Sequence, residues 1–478
     1  MAGLTSILEI GKSALLASEL TLQTVSHNVA NVNTPGYSRE ESVLTTPTPD
    51  ASPAGLIGNG VKVSEVRRFV DNYLNDAIQK KNTDLQFQTT SAQYLGQMES
   101  ILSENNSQLT QNLTAFFNAW QDLSTDPTSV SPRVALEAQG ENLAHSINSV
   151  YGDLSGVKSE LNSSVSQEVD NINRMTTTIA SLNQSISEAG THGDGQANDY
   201  LDQRTELLKE LSGELGIVSF TDSKGDITVL TADGKSLVDG NNHWNLAVSD
   251  PHSTGSFSVN WADSKGNLSD ITSNVTSGTL GALLHERDVD AQGFINQLNA
   301  LAQTVTTQVN QVHETGYNLN QTTGVAFFKP LTQNYAANMA VSDDVKNDVN
   351  NIASTSSLDQ PTNNDITLGI AGLANANLPF TVNGTTTQTT PVDFVSSIYS
   401  SVGELTQNAQ DLVTYQTNTM STLTQQQASV SGVSLDEEIT NLMQYQRAYQ
   451  ASAQLISTAD ALTVTMLDMV GSTTTATG

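Results

Sequence analysis

Apolar residues recur at every seventh position near both ends of the chain, the spacing of helices that pair along a seam. Near the N-terminus the main row is Leu8, Leu15, Leu22 and Val29, beside a companion row of Leu4, Gly11, Ser18 and Val25. Near the C-terminus the row is Leu435, Leu442, Tyr449, Ile456 and Val470, interrupted at Thr463 and supported by Ile439, Ala453 and Leu467. The pattern predicts terminal coiled-coil helices, although periodicity alone fits ordinary amphipathic helices of one bundle at least as well.

The two terminal segments have few apolar positions for their length. Burying those positions offsets only part of the conformational entropy lost on ordering, so neither end is expected to fold alone. Even paired with each other, the two helices leave apolar surface uncovered. We therefore expect a monomer with loose termini that become ordered against neighbouring subunits.

Helical periodicity resumes after the N-terminal segment and predicts a rod of long helices. The predicted helices cover residues 69–102, 109–123, 134–186, 280–312 and 394–420. The third is either one long helix or a broken pair, because its apolar spacing slips by one residue at 163–166. If the helix is continuous, the slip predicts that it changes its partner helices there.

The apolar period changes to two after Gly216, which is typical of strands. Residues 222–226 (Asp-Ser-Lys-Gly-Asp) and 263–267 (Asp-Ser-Lys-Gly-Asn) have the composition of hairpin tips. Residues 217–277 are therefore predicted to form a small antiparallel β domain. A Pro- and Gly-rich stretch at 45–60 is expected to be an extended connector. The irregular stretch after the fourth predicted helix, roughly residues 318–392, is expected to contain a few strands or short helices.

These elements predict a mainly α protein with β insertions, an elongated multidomain molecule. Residues 1–65 and 434–478 would form a terminal coiled-coil assembly domain, and residues 66–216, 278–330 and 393–433 a helical rod domain. The inserted β domain (217–277) and a second irregular insertion (331–392) would interrupt the rod. This nesting places both termini at one end of the molecule, with the insertions far away.

The N-terminal helix runs into a turn-forming sequence. Thr34 precedes a proline and is therefore pushed out of the helical region, while Pro35 and Gly36 fit the two central positions of a type II turn before Tyr37. The helix is expected to stop there. Three asparagines near this end could satisfy exposed backbone groups or contact a neighbouring subunit, and the sequence leaves both roles open; they are Asn28, Asn31 and Asn33.

Composition excludes several classes of function. The 478 residues carry a formal net charge of −31, which excludes nucleic acid as a partner. The chain has no cysteine, so disulfides and thiolate metal sites are excluded. No apolar run is long enough to span a membrane, and the N-terminal apolar stretch is broken by Glu9 and Lys12, so we expect neither membrane insertion nor a cleavable signal peptide.

The sequence offers no catalytic constellation. None of the 7 His residues forms a zinc pair at helical spacing, and the His-Glu pairs that begin at His285 and His313 lack the second His of a zinc protease. The 222–226 loop has a Lys at a ligand position of a calcium loop and no bidentate Glu in register. We expect no catalytic residues, no metal site and no cofactor.

Two long motifs carry a family resemblance. Residues 26–39, here called the N-terminal signature, read Ser-His-Asn-Val-Ala-Asn-Val-Asn-Thr-Pro-Gly-Tyr-Ser-Arg, and residues 435–451, the C-terminal signature, begin Leu-Asp-Glu-Glu-Ile. Both resemble the terminal motifs shared by bacterial flagellar rod, hook and hook-associated proteins. Residues 197–204 and 278–284 are similar to segments of the junction members of this family, which lie between hook and filament.

The resemblance implies a non-enzymatic structural protein at the hook-filament junction, needed for filament assembly and motility. It implies secretion through the flagellar type III export system and partners that include copies of itself, the hook protein, a second junction protein and the filament. An export chaperone would bind the C-terminal row of Leu435, Ile439, Leu442, Tyr449, Ile456, Leu467 and Val470. The N-terminal row and the turn residues would form the other assembly surface.

Two alternatives stay open beside this interpretation. One is a secreted adhesin whose β domain binds glycan or host protein, with Trp244 and Trp261 as contact residues, although tryptophans of such a domain more often belong to its core. The other is a flagellin or hook-type axial protein. Flagellin is disfavoured because it lacks the Thr-Pro-Gly-Tyr turn.

Overall fold

The computed structural model describes residues 2–52, 55–192, 197–222, 225–250 and 256–473. Long helices dominate it and small antiparallel sheets interrupt them, which confirms the predicted fold class. The longest helices are α1 (Ala2–Ala30), α2 (Asn72–Thr125), α3 (Val130–His192), α4 (Ala197–Glu214), α5 (Gly278–His285), α6 (Gln292–His313), α10 (Pro391–Ser431) and α11 (Leu435–Thr473). Among the described helices, none combines the length and apolar character that crossing a bilayer requires.

Helices α1 and α11 pack along each other and are here called the terminal pair. Gly11 of α1 approaches α11 so closely that a Cβ there would lie 2.9 Å from Ile456 Cγ1. The pair forms within one chain. The expected looseness of the termini in a solitary monomer stays a prediction.

Strands follow α1 where the sequence predicted only a connector. β1 (Glu40–Thr45) pairs antiparallel with β4 (Lys62–Arg68), and β2 (Asp50–Ser52) pairs with β3 (Gly55–Ile57). The prediction for residues 45–60 was therefore incomplete. The strands are short and rich in Glu, Arg and Ser, so their apolar alternation is weak.

Helix α2 is continuous, and the predicted division into helices at 69–102 and 109–123 is wrong. The polar stretch around Glu104 and Asn105 carries no proline or glycine, so nothing in it breaks the backbone ladder. Helix α3 is also continuous. Ser164 near the register slip is bonded to Tyr94 of α2, whereas Asn183 farther along accepts from Arg204 of α4. The neighbours of α3 therefore differ between these two positions, and a change located at 163–166 stays a prediction.

The long helices other than α1 and α11 form what is here called the helical body. Its core lies between α2, α3, α6 and the segment after α6. Trp120 is fully buried with its ring centroid 5.2 Å from that of Phe327 and 5.8 Å from that of His313. His313 donates from Nδ1 to the Val325 carbonyl and accepts the Ala353 amide at Nε2. Burial lowers its pKa to about 4, so this histidine is a neutral core residue.

Residues 217–270 form two antiparallel sheets that pack on α3. One has the order β5 (Ile217–Thr221), β6 (Ile227–Thr231), β7 (Ser236–Asp239) and β8 (Asn242–His243); the other has β11 (Leu268–Asp270), β10 (Ser258–Ala262) and β9 (Leu246–Ser249). The predicted hairpin tips join β5 to β6 and β10 to β11. Residues 223 and 224 of the first tip lie outside the described residues.

Trp261 serves the packing of these sheets. Its indole nitrogen donates to the Ser236 carbonyl at 2.7 Å, and the Lys235 ammonium lies 5.4 Å from its ring centroid. Nothing in this arrangement favours the adhesin alternative.

The segment after α6 contains short elements rather than a structureless loop. They are α7 (Tyr335–Asn338), α8 (Asp343–Asn347), α9 (Asp365–Gly372), β12 (Leu378–Val382) and β13 (Thr385–Thr389). Arg133 of α3 fixes part of the segment, because its guanidinium donates to the carbonyls of Ile352 and Pro127. Between α5 and α6 the backbone adopts a π-helix at Glu286–Ala291. The predicted helix break near residue 431 is confirmed, since α10 ends at Ser431.

Candidate assembly site at the signature turn

Residues 34–37, the signature turn, leave the end of α1 as the sequence predicts. The Tyr37 amide donates to the Thr34 carbonyl at 3.3 Å, and Gly36 has a φ of +76°. These are the features of a type II turn with Pro at the second position and Gly at the third. The turn packs on α4, because a Cβ on Gly36 would lie 3.3 Å from Cβ of Glu206.

Asn28 ties the end of α1 to the start of β1. Its side-chain amide donates to the Glu40 carbonyl, and its oxygen accepts the Glu40 amide, both at 2.9 Å. The same oxygen accepts the Tyr37 hydroxyl at 2.8 Å. The Asn28 side chain therefore forms the same two hydrogen bonds with Glu40 that a paired strand residue would form. Of its two possible roles, satisfying backbone groups or contacting a neighbouring subunit, the structure supports the first.

The other two signature asparagines differ from Asn28. Asn31 donates from its side chain to the His27 carbonyl and accepts the Thr34 hydroxyl, so it caps the end of α1 and braces the turn. Asn33 is exposed. Its contact with a neighbouring subunit stays a prediction.

Asp202 of α4 anchors the segment after the turn. Its carboxylate accepts the amide and the hydroxyl of Ser38, each at 2.8 Å, and is also bonded to the Arg68 guanidinium of β4. Nearby, the Asn198 side chain donates to the Val66 carbonyl at 3.0 Å. Sequence reasoning did not identify Asp202 or Arg68 as part of the site. The family resemblance of residues 197–204 was the signal that pointed to α4.

Arg39 joins the N-terminal signature to the C-terminal one. Its Nε lies 3.1 Å from Glu438 Oε1 and its Nη1 lies 3.3 Å from Glu437 Oε2. Its amide donates to the Ser431 carbonyl at 2.8 Å, which holds the junction between α10 and α11. The Glu438 side chain is only 2% exposed, whereas that of Glu437 is 62% exposed. The two signatures, far apart in the chain, thus form one structural unit.

Tyr37 and His27 pack against each other beside Glu40 in this unit. Their rings meet edge to face with centroids 5.4 Å apart, and His27 Nδ1 lies 3.4 Å from Glu40 Oε2. Burial, followed by the nearby carboxylates beginning with Glu40, raises the pKa of the Tyr37 hydroxyl far above its usual range. Tyr37 is therefore a neutral hydrogen-bond donor here.

The predicted N-terminal site residues divide by burial. Leu8, Leu15, Leu22 and Val29 are half-buried, and the fully buried positions of α1 lie on or beside the companion row: Gly11, Ala17, Ser18, Thr21, Thr24, Val25 and Asn28. The companion row predicted from the sequence thus contributes three of these buried positions, Gly11, Ser18 and Val25. Contact of the half-buried main row with neighbouring subunits stays a prediction. In the turn, Asn33, Thr34, Pro35 and Gly36 are exposed, and Asn31 and Tyr37 are half-buried.

The predicted C-terminal site residues divide in the same way. Leu442, Tyr449 and Ile456 are half-buried and lie on the face of α11 that includes the buried Ala459, whereas Leu435, Ile439 and Leu467 are exposed. The side chain of Val470 lies outside the described residues. Further exposed apolar side chains on α11 are Met443, Leu455, Leu462, Val464, Met466 and Met469. Within its described part, α11 has only Glu438 and Ala459 fully buried.

Two carboxyl pairs lie away from this site, inside the helical body. Burial, and then the neighbouring Asp290, raises the pKa of Glu286 to about 8. Burial, and then Glu214, raises the pKa of Glu168 to about 7. In both groups, burial and a neighbouring like charge oppose ionisation.

Three family models match successive parts of the chain. The model of the flagellar basal body rod protein matches residues 8–37, that of the flagellar hook-associated protein FlgK helical domain matches residues 95–328, and that of the FlgEFG rod protein C-terminal region matches residues 424–469. The first and last coincide with the two signatures and their helices.

Similar proteins match over nearly the whole chain. Flagellar hook-associated protein 1 of Salmonella typhimurium is 27% identical over 98% of this chain and 100% of its own length, and that of Bacillus subtilis is 28% identical over 97% and 98%. Among solved structures, the flagellar hook junction protein FlgK from Burkholderia pseudomallei has a similar fold, with a TM-score of 0.63, 15% identity, and coverage of 76% of this chain and 100% of that chain.

The order of the three models along the chain, the near full-length relatives and the joined signatures agree with one another. They confirm the family resemblance that the terminal motifs carry. The chain belongs to the family of bacterial flagellar hook-associated protein 1.

Proposed function

We propose that this protein is a structural subunit of the bacterial flagellum that joins the hook to the filament and is required for filament assembly. The observation that carries the proposal is the union of the two signatures through Arg39 and Glu438, with apolar side chains left exposed on the helices behind them. The relatives named for the hook and its junction support the same role. Nothing in this role requires catalysis.

The domain division fits this role. We assign residues 1–65 and 434–478 to a terminal assembly domain and residues 66–216, 278–330 and 393–433 to the helical rod. Residues 217–277 and 331–392 are insertions on the rod. The terminal pair supports the first assignment, since α1 and α11 contact each other along their length.

The exposed flanks of the terminal pair are the assembly surface in this proposal. Leu435, Ile439 and Leu467 would pack against copies of this chain, the hook protein or the second junction protein that leads to the filament. Large apolar side chains that cluster on an exposed helix usually mark an interaction surface. The exposed turn residues, Asn33 to Gly36, would supply further contacts.

Before assembly, the same helix would be covered in the cytoplasm by the export chaperone. The subunit would leave through the flagellar type III channel in a partly unfolded form and act outside the cell at the hook-filament junction. Helix α11 suits this route because it contributes few fully buried side chains, so detaching it exposes little additional core. An amphipathic helix laid in a groove is a common mode of recognition.

A deletion strain tests the junction role. Electron microscopy of cells without the gene should show hooks that carry no filaments, with filament subunits shed into the medium. Complementation with the wild-type gene should restore filaments and swimming. Normal filaments in the deletion strain would refute the proposal.

Substitutions on the exposed flank test the assembly surface. Ile439→Asp and Leu462→Asp should abolish filament growth, because a charge in a subunit contact is strongly unfavourable. Immunoblotting of the medium separates a variant that is exported but does not assemble from one that is retained because the chaperone no longer binds it. Ser457→Asp, at an exposed polar position of the same helix, is the matched control and should support filaments. Normal filaments in cells that carry either variant would show that these exposed positions of α11 are not part of the assembly surface.

A further inference from the structure

Three metal-ligating side chains from distant parts of the chain meet beside the signature turn. A ring nitrogen of His27, an oxygen of Glu40 and an oxygen of Asp199 all lie within 4.8 Å of one another. His27 belongs to α1, Glu40 to β1 and Asp199 to the first turn of α4. The sequence argument missed this cluster because it searched for histidine pairs at helical spacing.

The cluster opens onto a cleft of about 740 Å³ between these elements. Glu65, Asn198 and Gln203 also line the cleft. An ion at the cluster would therefore lie beside room for water or a fourth ligand. The described arginines of this region bind elsewhere, Arg39 to Glu438 and Arg68 to Asp202.

Glu40 is the reason to consider a cation here. Its side chain is only 8% exposed, and within the described part of the chain its ion-pair partner is the His27 ring, which is charged only when protonated. A buried carboxylate needs a compensating charge or several hydrogen bonds. A bound cation would supply that charge.

We propose that His27, Glu40 and Asp199 bind one divalent transition metal ion of the Zn²⁺ class. One imidazole and two carboxylates make a common three-ligand set for Zn²⁺, with water in the fourth position. Two ligands at about 2.0–2.1 Å from a tetrahedral ion lie about 3.4 Å apart. His27 Nδ1 and Glu40 Oε2 already have this separation of 3.4 Å. Asp199 Oδ1 lies 3.8 Å from the other ring nitrogen, Nε2, and this side chain, 54% exposed, has room to turn towards an ion bound at Nδ1.

The ion would fix the orientation of the N-terminal signature. It would link the end of α1, the start of β1 and the first turn of α4, three elements that Asn28 and Asp202 already connect by hydrogen bonds. The metal would thus stabilise the base of the terminal pair. It has a structural role in this proposal, independent of the junction assignment.

Calorimetric titration of the purified, metal-free full chain with ZnCl₂ tests the site. We expect about one ion per chain with a dissociation constant at or below about 10 µM, and a higher melting temperature with bound metal. Asp199→Asn and His27→Gln should each weaken binding about tenfold or more. Co²⁺ should give a visible d–d spectrum in the wild type that the two variants lose.

The controls separate loss of ligands from loss of fold. His145→Gln removes a histidine of α3 outside the cluster and should bind Zn²⁺ as the wild type does. Circular dichroism of Asp199→Asn should match the wild type, because Asp199 is an exposed residue. Wild-type affinity weaker than about 100 µM, or equal binding by the wild type and both ligand variants, would overturn the proposal.

Discussion

The terminal pair and the helical body are both built from long helices, but they differ in how far their large apolar side chains are buried. In the body, residues such as Leu113, Phe116 and Trp120 are fully buried against α3 and the segment after α6. In the terminal pair, Gly11 of α1 lies close to Ile456 of α11, and large apolar residues of α11 such as Leu462 and Leu467 are exposed. The helical body encloses its large apolar side chains in a core, whereas the terminal pair leaves several large apolar side chains of α11 exposed to solvent.

The two regions are joined by polar contacts. The signature turn, Ser38 and Arg39 link the terminal pair to α4 and α10 through Asp202 and Ser431. Polar contacts of this kind fix orientation with little apolar burial. The helical body therefore holds the chain together, and the signatures fix the orientation of the terminal pair on it.

The largest effect on the free energy of unfolding is expected from truncating a side chain in the core of the helical body. Trp120→Ala should lower the free energy of unfolding of the helical body by about 3–5 kcal/mol, because it removes a fully buried indole and leaves a cavity. Urea unfolding followed by circular dichroism measures this change. A loss below about 1 kcal/mol would mean that the core is less tightly packed than described.

The link between the signatures should come next. Arg39→Ala leaves Glu438 buried without its counter-charge, and Glu438 Oε2 already lacks a hydrogen bond within the described part of the chain. Removing one partner of a largely buried ion pair typically costs about 3 kcal/mol or slightly more. Faster amide hydrogen exchange in α1 and the first turns of α11 is the expected signature.

Glu437→Gln is the matched control for that link. Glu437 also pairs with Arg39 but is well exposed, so the change should cost less than about 1 kcal/mol. Equal effects of the two substitutions would mean that burial of Glu438 does not matter.

Much of this arrangement could be predicted from local patterns. The heptads marked the terminal helices, Pro35 and Gly36 marked the turn, and the Asp-Ser-Lys-Gly motifs marked two hairpin tips. Each of these depends on neighbours within a few residues. The registers of the strands after α1 escaped prediction because their pattern is short and polar.

The remaining parts of the site depend on distant residues. Asp202 lies far along the chain from Ser38, and nothing in its local sequence reveals that it will accept two hydrogen bonds there. The close approach of α1 and α11 also depends on distant residues, because Gly11 leaves the space that Ile456 occupies. Close helix contact selects small residues, which hydrophobic periodicity undervalues.

The buried carboxyl pairs of the helical body predict a smaller, pH-dependent effect. The folded-state pKa values of Glu286 (about 8) and Glu168 (about 7) lie above those of an unfolded chain. The folded state therefore holds more protons, so this stability is fully present below the unfolded pKa and is lost as pH rises through 7 to 8. The melting temperature should be several degrees lower at pH 9 than near pH 5.

Substitutions identify which groups cause this fall of the melting temperature with rising pH. Glu286→Gln keeps the shape of a protonated carboxyl and should flatten the fall in melting temperature above neutral pH. Glu404→Gln, which changes an exposed carboxyl on α10, should keep the wild-type profile. The same fall in the wild type and in Glu286→Gln would assign the slope to other groups.

The smallest effect on the monomer is expected on the exposed flank of the terminal pair. Leu462→Ala should change the free energy of unfolding of the purified chain by less than about 0.5 kcal/mol, because the side chain is already in solvent. In assembly, the same truncation removes apolar contact and should lower the number of filaments per cell, counted by electron microscopy. A clear loss of monomer stability would mean that Leu462 belongs to the closed packing of the single chain, and the contrast between the two regions would fail there.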